Sequence, residues 1–167
     1  MPEKKLARRV FDIEADGFRD VATTVWCMVI CDPDTIRQGK PFTKAYPPEK
    51  LNEAIRVLRE ADVLIGHNIV GYDLPVIWKL LGDWDVKPAV LDTLLVSRAL
   101  YPERPGGHSL EAWGRRLGQP KIEFDEWNRY SQQMLDYCIG DTQLNVSVLK
   151  ELEKEYGATF EGYKIYR

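Results

Sequence analysis

Three short stretches hold side chains that could act together: DIE at residues 12–14, HNIVGYD ending on Asp73, and YCIGD opening on Tyr137 and ending on Asp141. Asp12 and Glu14 close an apolar run, RRVFDIEADGF, that reads as a β-strand. Residues two apart in a strand share a face, so these carboxylates lie side by side while Ile13 points the opposite way. Like charges held a few ångströms apart cost energy unless a proton or a cation sits between them. A strand that simply ends in solvent explains the pair equally well. Asp73 follows a short buried-strand pattern and opens a helical one, where an acid also suits the helix dipole. Tyr137 and Asp141, four apart, share one helix face, which also describes an ordinary surface pair. Each signal is weak alone, and the three must be judged together.

The elements that must position them follow from periodicity. A strand over residues 8–13, a turn at Asp16 and Gly17, and a strand over 23–30 open the chain. CDPDT reads as a turn around Pro33, and GKPFTKAY as a short third strand, giving a three-strand meander. Leu51, Ala54, Ile55 and Leu58 then recur at helical spacing. Residues 63–66 form a brief buried strand that ends at His67 and Asn68, and 72–81 return to helix with Pro75 in the first turn. Val90 and Leu91 add a last strand, Asp92 caps a helix over 93–100, and Ser109 caps another reaching 117. Residues 126–156 read as one long helix or two joined near Gly140, since glycine weakens a helix interior by about 1 kcal/mol relative to alanine. Strands first, then helices interleaved with strands, predict an α/β fold around one mixed sheet, with function at the strand ends.

At 167 residues, with 44% apolar and 29% charged side chains, the chain suits a single domain spanning residues 1–167. A net charge of −3 argues against adhesion to nucleic acid by a basic surface, though not against an enzyme that holds nucleic acid through metal ions. Cys27, Cys31 and Cys138 are odd in number and poorly spaced for zinc, so they read as buried reduced thiols. MPEKKLARR lacks the apolar stretch of a secretory signal, and no apolar run approaches the ~20 residues of a membrane span, so an intracellular protein is expected.

In their order and spacing the three motifs resemble those of the DEDD-type 3'-5' exonucleases, named for their four acids. Tyrosine, three residues, then aspartate at Tyr137 and Asp141 matches the tyrosine-marked subclass, DEDDy. The histidine-marked subclass would need a histidine at position 136, which is Asp136. LDTLLVSRALYP, HSLEAWGRRLG and EWNRYSQQMLDYCIGD are similar to segments of the proofreading domains of family A DNA polymerases, particularly those of podophages. The likeness runs from about residue 9 to 152. No polymerase domain follows Arg167, so a natural stand-alone protein and an excised domain both stay open.

The resemblance implies a ribonuclease H-like fold, with about five strands in a mixed sheet flanked by helices, and two divalent cations, Mg²⁺ or Mn²⁺. Such hard ions take oxygen ligands, which four carboxylates supply. Two ions about 3.5 to 4 Å apart activate an attacking water and stabilise the leaving 3'-oxygen. By resemblance Asp12 bridges both ions, Glu14 and Asp141 complete the first, and Asp73 holds the second partly through water. Tyr137 then positions the nucleophilic water, because a phenol with a pKa of about 10 is a poor base at neutral pH. Asn68 is a candidate contact of the terminal nucleotide.

The implied activity is stepwise release of nucleoside 5'-monophosphates from single-stranded DNA or frayed 3' ends, by a monomer acting alone or proofreading for a polymerase on another chain. An RNA-trimming nuclease of RNase D type and a non-catalytic module that binds a polymerase or nucleic acid remain as alternatives. Tyr72 reads as a packing residue, and Trp113 and Trp127 as core or its edge. Arg98, Arg104, Arg115 and Arg116 read as solvated charges rather than a strand path. His67 and His108 take loop or capping roles, without the spacing of a triad. Asp16 and Phe18 either make the turn or touch the substrate.

Overall fold

Alternation along the first strand divides the protein into two cores. In β1 (Arg8–Ala15), Phe11 and Ile13 enter one core and Val10 the other, and Asp12 and Glu14 continue the face of Val10. The computed structural model describes residues 1–2, 4–84 and 87–162. β1 is the middle strand of five, in the order β3-β2-β1-β4-β5. It pairs antiparallel with β2 (Val25–Arg37), which pairs antiparallel with β3 (Lys40–Tyr46). On its other side β1 runs parallel to β4 (Val63–Gly66), and β4 parallel to β5 (Ala89–Asp92). The mixed five-strand sheet with an opening meander is the predicted one.

A 3-10 turn at Pro48–Lys50 leads into α1 (Leu51–Glu60), which with α2 (Asp73–Leu81) covers the face of Phe11, Ile13, Met28, Ile30 and Leu64. The opposite face carries α5 (Gln132–Tyr156), whose Met134, Cys138, Val146 and Leu149 pack on Cys27, Val29, Val10 and Ile65. α3 (Thr93–Leu100) and α4 (Leu110–Arg116) lie against α5 around the fully buried Trp113. All three cysteines are free and buried.

Two expectations are corrected, and the open one, the course of the helix at Gly140, is resolved. CDPDT is not a turn: β2 runs through Pro33, and the ladder with β3 shifts register between Asp32 and Ile36. The bulge is satisfied locally, because Asp32 accepts from the Asp34 amide (2.9 Å) and the Thr35 hydroxyl (2.8 Å). The hairpin reverses instead at Gln38 and Gly39, both with positive φ (52° and 74°), as a tight two-residue turn requires. Residues 126–131 are not helical; α5 starts after Ser131, whose hydroxyl caps the Met134 amide at 3.1 Å. Nor does Gly140 break α5, where burial against the sheet outweighs the propensity cost, and a side chain there would meet only Ile122 at 3.8 Å.

Arg8, buried at the start of the central strand, ties the layers together. Its guanidinium donates to Asp34 (2.9 and 2.8 Å), to Glu153 near the end of α5 (2.9 and 3.3 Å) and to the Phe160 carbonyl (3.1 Å). The bond from Arg8 holds the Asp34 carboxyl down to about 2, against the opposing effect of burial. Removing one partner of a buried pair strands the others, at a cost of about 3 to 5 kcal/mol. Arg8→Met is therefore expected to lower unfolding stability by about 3 kcal/mol in urea titrations. The folded value for Asp34 lies below the unfolded one of about 3.9, so its contribution is present above about pH 4 and is lost as pH falls through about 2. The variant should flatten that acid limb.

Candidate active site

The parallel pairings of β1, β4 and β5 bring the ends of β4 and β5, at Gly66 and Asp92, to one edge of the sheet, and Asp12 stands there within β1, two residues past its last pairing with β4. Gly66 is required there: a Cβ would lie 2.1 Å from Ile69 Cγ2 and 3.0 Å from the Phe11 carbonyl. Asn68 follows at φ 64°, a left-handed conformation that asparagine tolerates. Asp92 caps α3 at Leu94 N (3.0 Å), as predicted, and also accepts from the amides of Asn68 (2.9 Å) and Val70 (3.1 Å). This buried carboxylate thus fixes the loop that delivers Asp73. Asp73, 2% exposed at the start of α2, accepts from the Ile13 amide at 3.1 Å, so it docks on the strand carrying Asp12 and Glu14. The Thr93 hydroxyl joins the Gly66 carbonyl, His67 and Asn145 of α5.

α5 supplies the opposite wall. The Cys138 thiol approaches the Asp12 carbonyl (3.5 Å) and carboxylate (3.7 Å), and ligand atoms of Asp12, Glu14 and Cys138 lie within 4.8 Å of one another. One turn on, Asp141 pairs with Lys121 at 3.0 Å, and the Lys121 ammonium stands 5.1 Å from the Tyr137 ring centroid. The Tyr137 hydroxyl reaches both Lys121 and Asp141. Asp12, Asp73, Asp141, Lys121 and Asn68 line one cavity of about 180 Å³. Glu14 opens into an adjoining groove of about 630 Å³, with Phe18, Asn68, Tyr72 and Trp127. The four predicted acids therefore converge, with Tyr137 beside Asp141 and Asn68 on the rim shared by both spaces.

Burial decides the electrostatics. Desolvation, then the charge of Asp141, pushes Asp12 up to about 7. Glu14 and Asp73 are raised well above the carboxylate range by burial and then by Asp12, whose carboxyl also meets that of Asp73. Burial raises Asp141 as well, while Lys121 pulls it back. Burial likewise raises Tyr137 and Cys138, which keeps the phenol and the thiol protonated, so Cys138 serves Asp12 as a donor. Glu14 is 8% exposed, and its carboxylate finds no hydrogen-bond donor among the described residues. Four carboxylates balanced by one lysine, with Glu14 among them lacking a donor among the described residues, fit a hard divalent cation.

Other predicted residues fall into place around this cleft. Asp16 makes the turn, accepting from Thr23 N (2.8 Å), Thr24 N (3.0 Å) and the Thr23 hydroxyl, whereas Phe18, 87% exposed, faces the groove. Tyr72 packs on the core, and its hydroxyl donates to the Gly17 carbonyl at 2.7 Å. Trp127 stacks edge-on with Phe124 and Tyr137, at 4.8 and 5.6 Å between centroids. His67 bonds Thr93 and the His108 carbonyl, and His108 bonds Ser97 and the Pro102 carbonyl, so both hold loops.

Arg98 and Arg115 are exposed as expected, but Arg104 is not solvated: it is buried over Trp113 and paired twice with Glu155 (2.7 and 2.8 Å). The exposed Arg116 braces the Pro105 and Gly107 carbonyls. Lys121 went unread in the sequence. It lies in an aperiodic segment, and no local pattern links it to Asp141.

The comparisons agree with this architecture. No family profile matches the chain. In sequence it is similar to the DNA-directed DNA polymerase of Escherichia phage T7, with 27% identity over 88% of this chain, and equally to that of Enterobacteria phage T3. It spans 27% of the length of those relatives. In structure it is similar to Brucella melitensis NrnC, with a TM-score of 0.66 at 16% identity, covering 93% of this chain and 76% of that one. It is also similar to Exonuclease X in complex with 5' overhanging duplex DNA, with a TM-score of 0.59 at 14% identity over 91% and 94% of the two chains. NrnC with bound Mg²⁺ aligns at a TM-score of 0.63 and 18% identity, over 93% and 76%. These likenesses bear out the ribonuclease H-like fold and the resemblance to DEDD-type exonucleases related to polymerase proofreading domains.

The raised acids have a consequence for stability. Unfolded carboxylates lose their protons near pH 4, whereas Asp12 keeps its proton to about 7, so the metal-free protein loses stability as pH rises from about 4 to about 7. Asp12→Asn is expected to raise the metal-free melting temperature at pH 8 by a few degrees and to flatten this slope, as thermal melts in chelator will measure.

Proposed function

We propose that this relative of the DEDD-type 3'-5' exonucleases is itself a metal-dependent 3'-5' exonuclease, releasing nucleoside 5'-monophosphates from the 3' ends of single-stranded DNA. The observation that carries the reading is the convergence of Asp12, Glu14, Asp73 and Asp141 from β1, α2 and α5 on one cleft, with Glu14 buried and without a hydrogen-bond donor among the described residues. A purely structural or binding role gives no reason to maintain such repulsion.

Asp12, Glu14, Asp73 and Asp141 would together hold the divalent cations. When bound, Mg²⁺ or Mn²⁺ supplies positive charge for the attacking and leaving oxygens of an in-line displacement. The remaining work falls to the chain. Tyr137, kept protonated by burial and steadied by Asp141, orients the attacking water through its hydroxyl rather than removing a proton. Asn68, exposed on the rim, offers its amide to the terminal sugar or phosphate. Phe18, Tyr72 and Trp127 give the groove aromatic surfaces on which the last bases can lie without regard to sequence.

No described helix is long and apolar enough to cross a membrane. The likeness to phage polymerases supports an intracellular enzyme with a proofreading role. A second reading, trimming of RNA or short oligonucleotide ends, is favoured by the likeness to NrnC bound to pGG, with a TM-score of 0.64.

Digestion of 3'-labelled and 5'-labelled strands, as DNA and as RNA, tests the proposal. Mg²⁺-dependent loss of the 3' label first, as mononucleotides and faster on DNA, is expected; faster loss on RNA would favour the second reading, and 5' label lost first would contradict both. Asp12→Ala with Asp141→Ala should reduce release to background. Tyr137→Phe should slow turnover by about 10- to 100-fold with little change in KM, as expected for a misplaced nucleophile.

A further inference from the structure

We propose that Lys121 is a built-in counter-cation of the acidic cleft, which divalent ions must displace from Asp141 in order to bind. The inference rests on the metal-site reading above. Its basis is a contact: the Lys121 ammonium lies 3.0 Å from Asp141 Oδ2, with its side chain only 23% exposed, and it lines the same cavity as Asp12 and Asp73. Among the described residues no other lysine or arginine makes an ion pair with Asp12, Glu14, Asp73 or Asp141. An ammonium and a divalent cation cannot both sit against one small carboxylate without strong repulsion in a buried setting.

The surroundings allow the exchange. Lys121 belongs to the segment between α4 and α5, which has no helix or strand of its own. That segment is pinned elsewhere, by Phe124 and Trp127 stacked on Tyr137 and by Trp26 Nε1 donating to the Trp127 carbonyl at 2.9 Å. The backbone can therefore stay in place while the four-carbon side chain swings off Asp141. In the metal-free protein Lys121 offsets part of the repulsion among the acids. When metal enters, that stabilisation is given up, and apparent metal affinity falls by the same amount.

The test is Mn²⁺ binding to the full chain, read by electron paramagnetic resonance of free Mn²⁺, together with melts in chelator and in Mn²⁺. Lys121→Met is expected to bind the first Mn²⁺ about tenfold more tightly than the wild type, equivalent to about 1.4 kcal/mol. It should also melt lower without metal and gain more on adding it. Lys121→Arg should behave as the wild type, and Lys121→Gln should show the same tighter Mn²⁺ binding even where methionine disturbs packing.

A lysine that merely tethers the loop predicts equal destabilisation with and without metal. Unchanged or weaker Mn²⁺ binding by the neutral variants, with no larger melting gain, overturns the proposal. No Mn²⁺ binding by any variant, wild type included, overturns the site reading and this inference with it.

Discussion

Four carboxylates confined to one cleft repel one another, and much of the architecture consists of holding them there. The central strand places Asp12 and Glu14 on one face because a strand alternates, and Ile13 pins the opposite face in the core. Asp73 is drawn in by the Ile13 amide, and its loop is fixed by the Asp92 carboxylate. Asp141 arrives on a helix held across the sheet by Cys138, Val146 and Leu149, and by Glu153 bonded to Arg8 at the far end of β1. Apart from Cys138, whose thiol also meets Asp12, these side-chain anchors do not belong to the acidic cluster. The acids themselves contribute destabilisation, which the rest of the fold offsets, as is usual for functional sites.

The same constraint explains the site's second layer. With burial raising every acid, protons or cations must accompany them, and the structure provides several kinds of company. Asp12 and Asp73 meet carboxyl to carboxyl, the Cys138 thiol approaches Asp12, and Lys121 balances Asp141. Glu14 has no hydrogen-bond donor among the described residues. A cleft arranged in this way is tuned for the arrival of positive charge, and the aromatic groove beside it extends toward a substrate that brings negative charge of its own.

Most of the framework could be read from local pattern. β4 and α3 match their predicted limits because a buried apolar run and an aspartate cap mark them. The acids were legible because their three motifs resemble those of the DEDD-type exonucleases; strand alternation and the four-residue helical spacing put each pair on one face but left ordinary readings open. What escaped depended on contacts distant in sequence. Pro33 remains within β2 because Asp32 satisfies the bulge and Asp34 is committed to Arg8. Trp127 leaves the helix that its neighbours suggested, to pack on Phe124 and Tyr137. Arg104 is buried by Trp113 and Glu155, and Lys121 meets an acid twenty positions on, across a segment without periodicity.

The central claim is that the clustered acids are a divalent cation site. It is tested most directly by anomalous diffraction from crystals soaked in Mn²⁺. The account predicts anomalous density in the cleft within ligand distance of its carboxylates, with the Lys121 ammonium moved off Asp141. Absence of anomalous density in the cleft, with Lys121 still paired to Asp141, would contradict it.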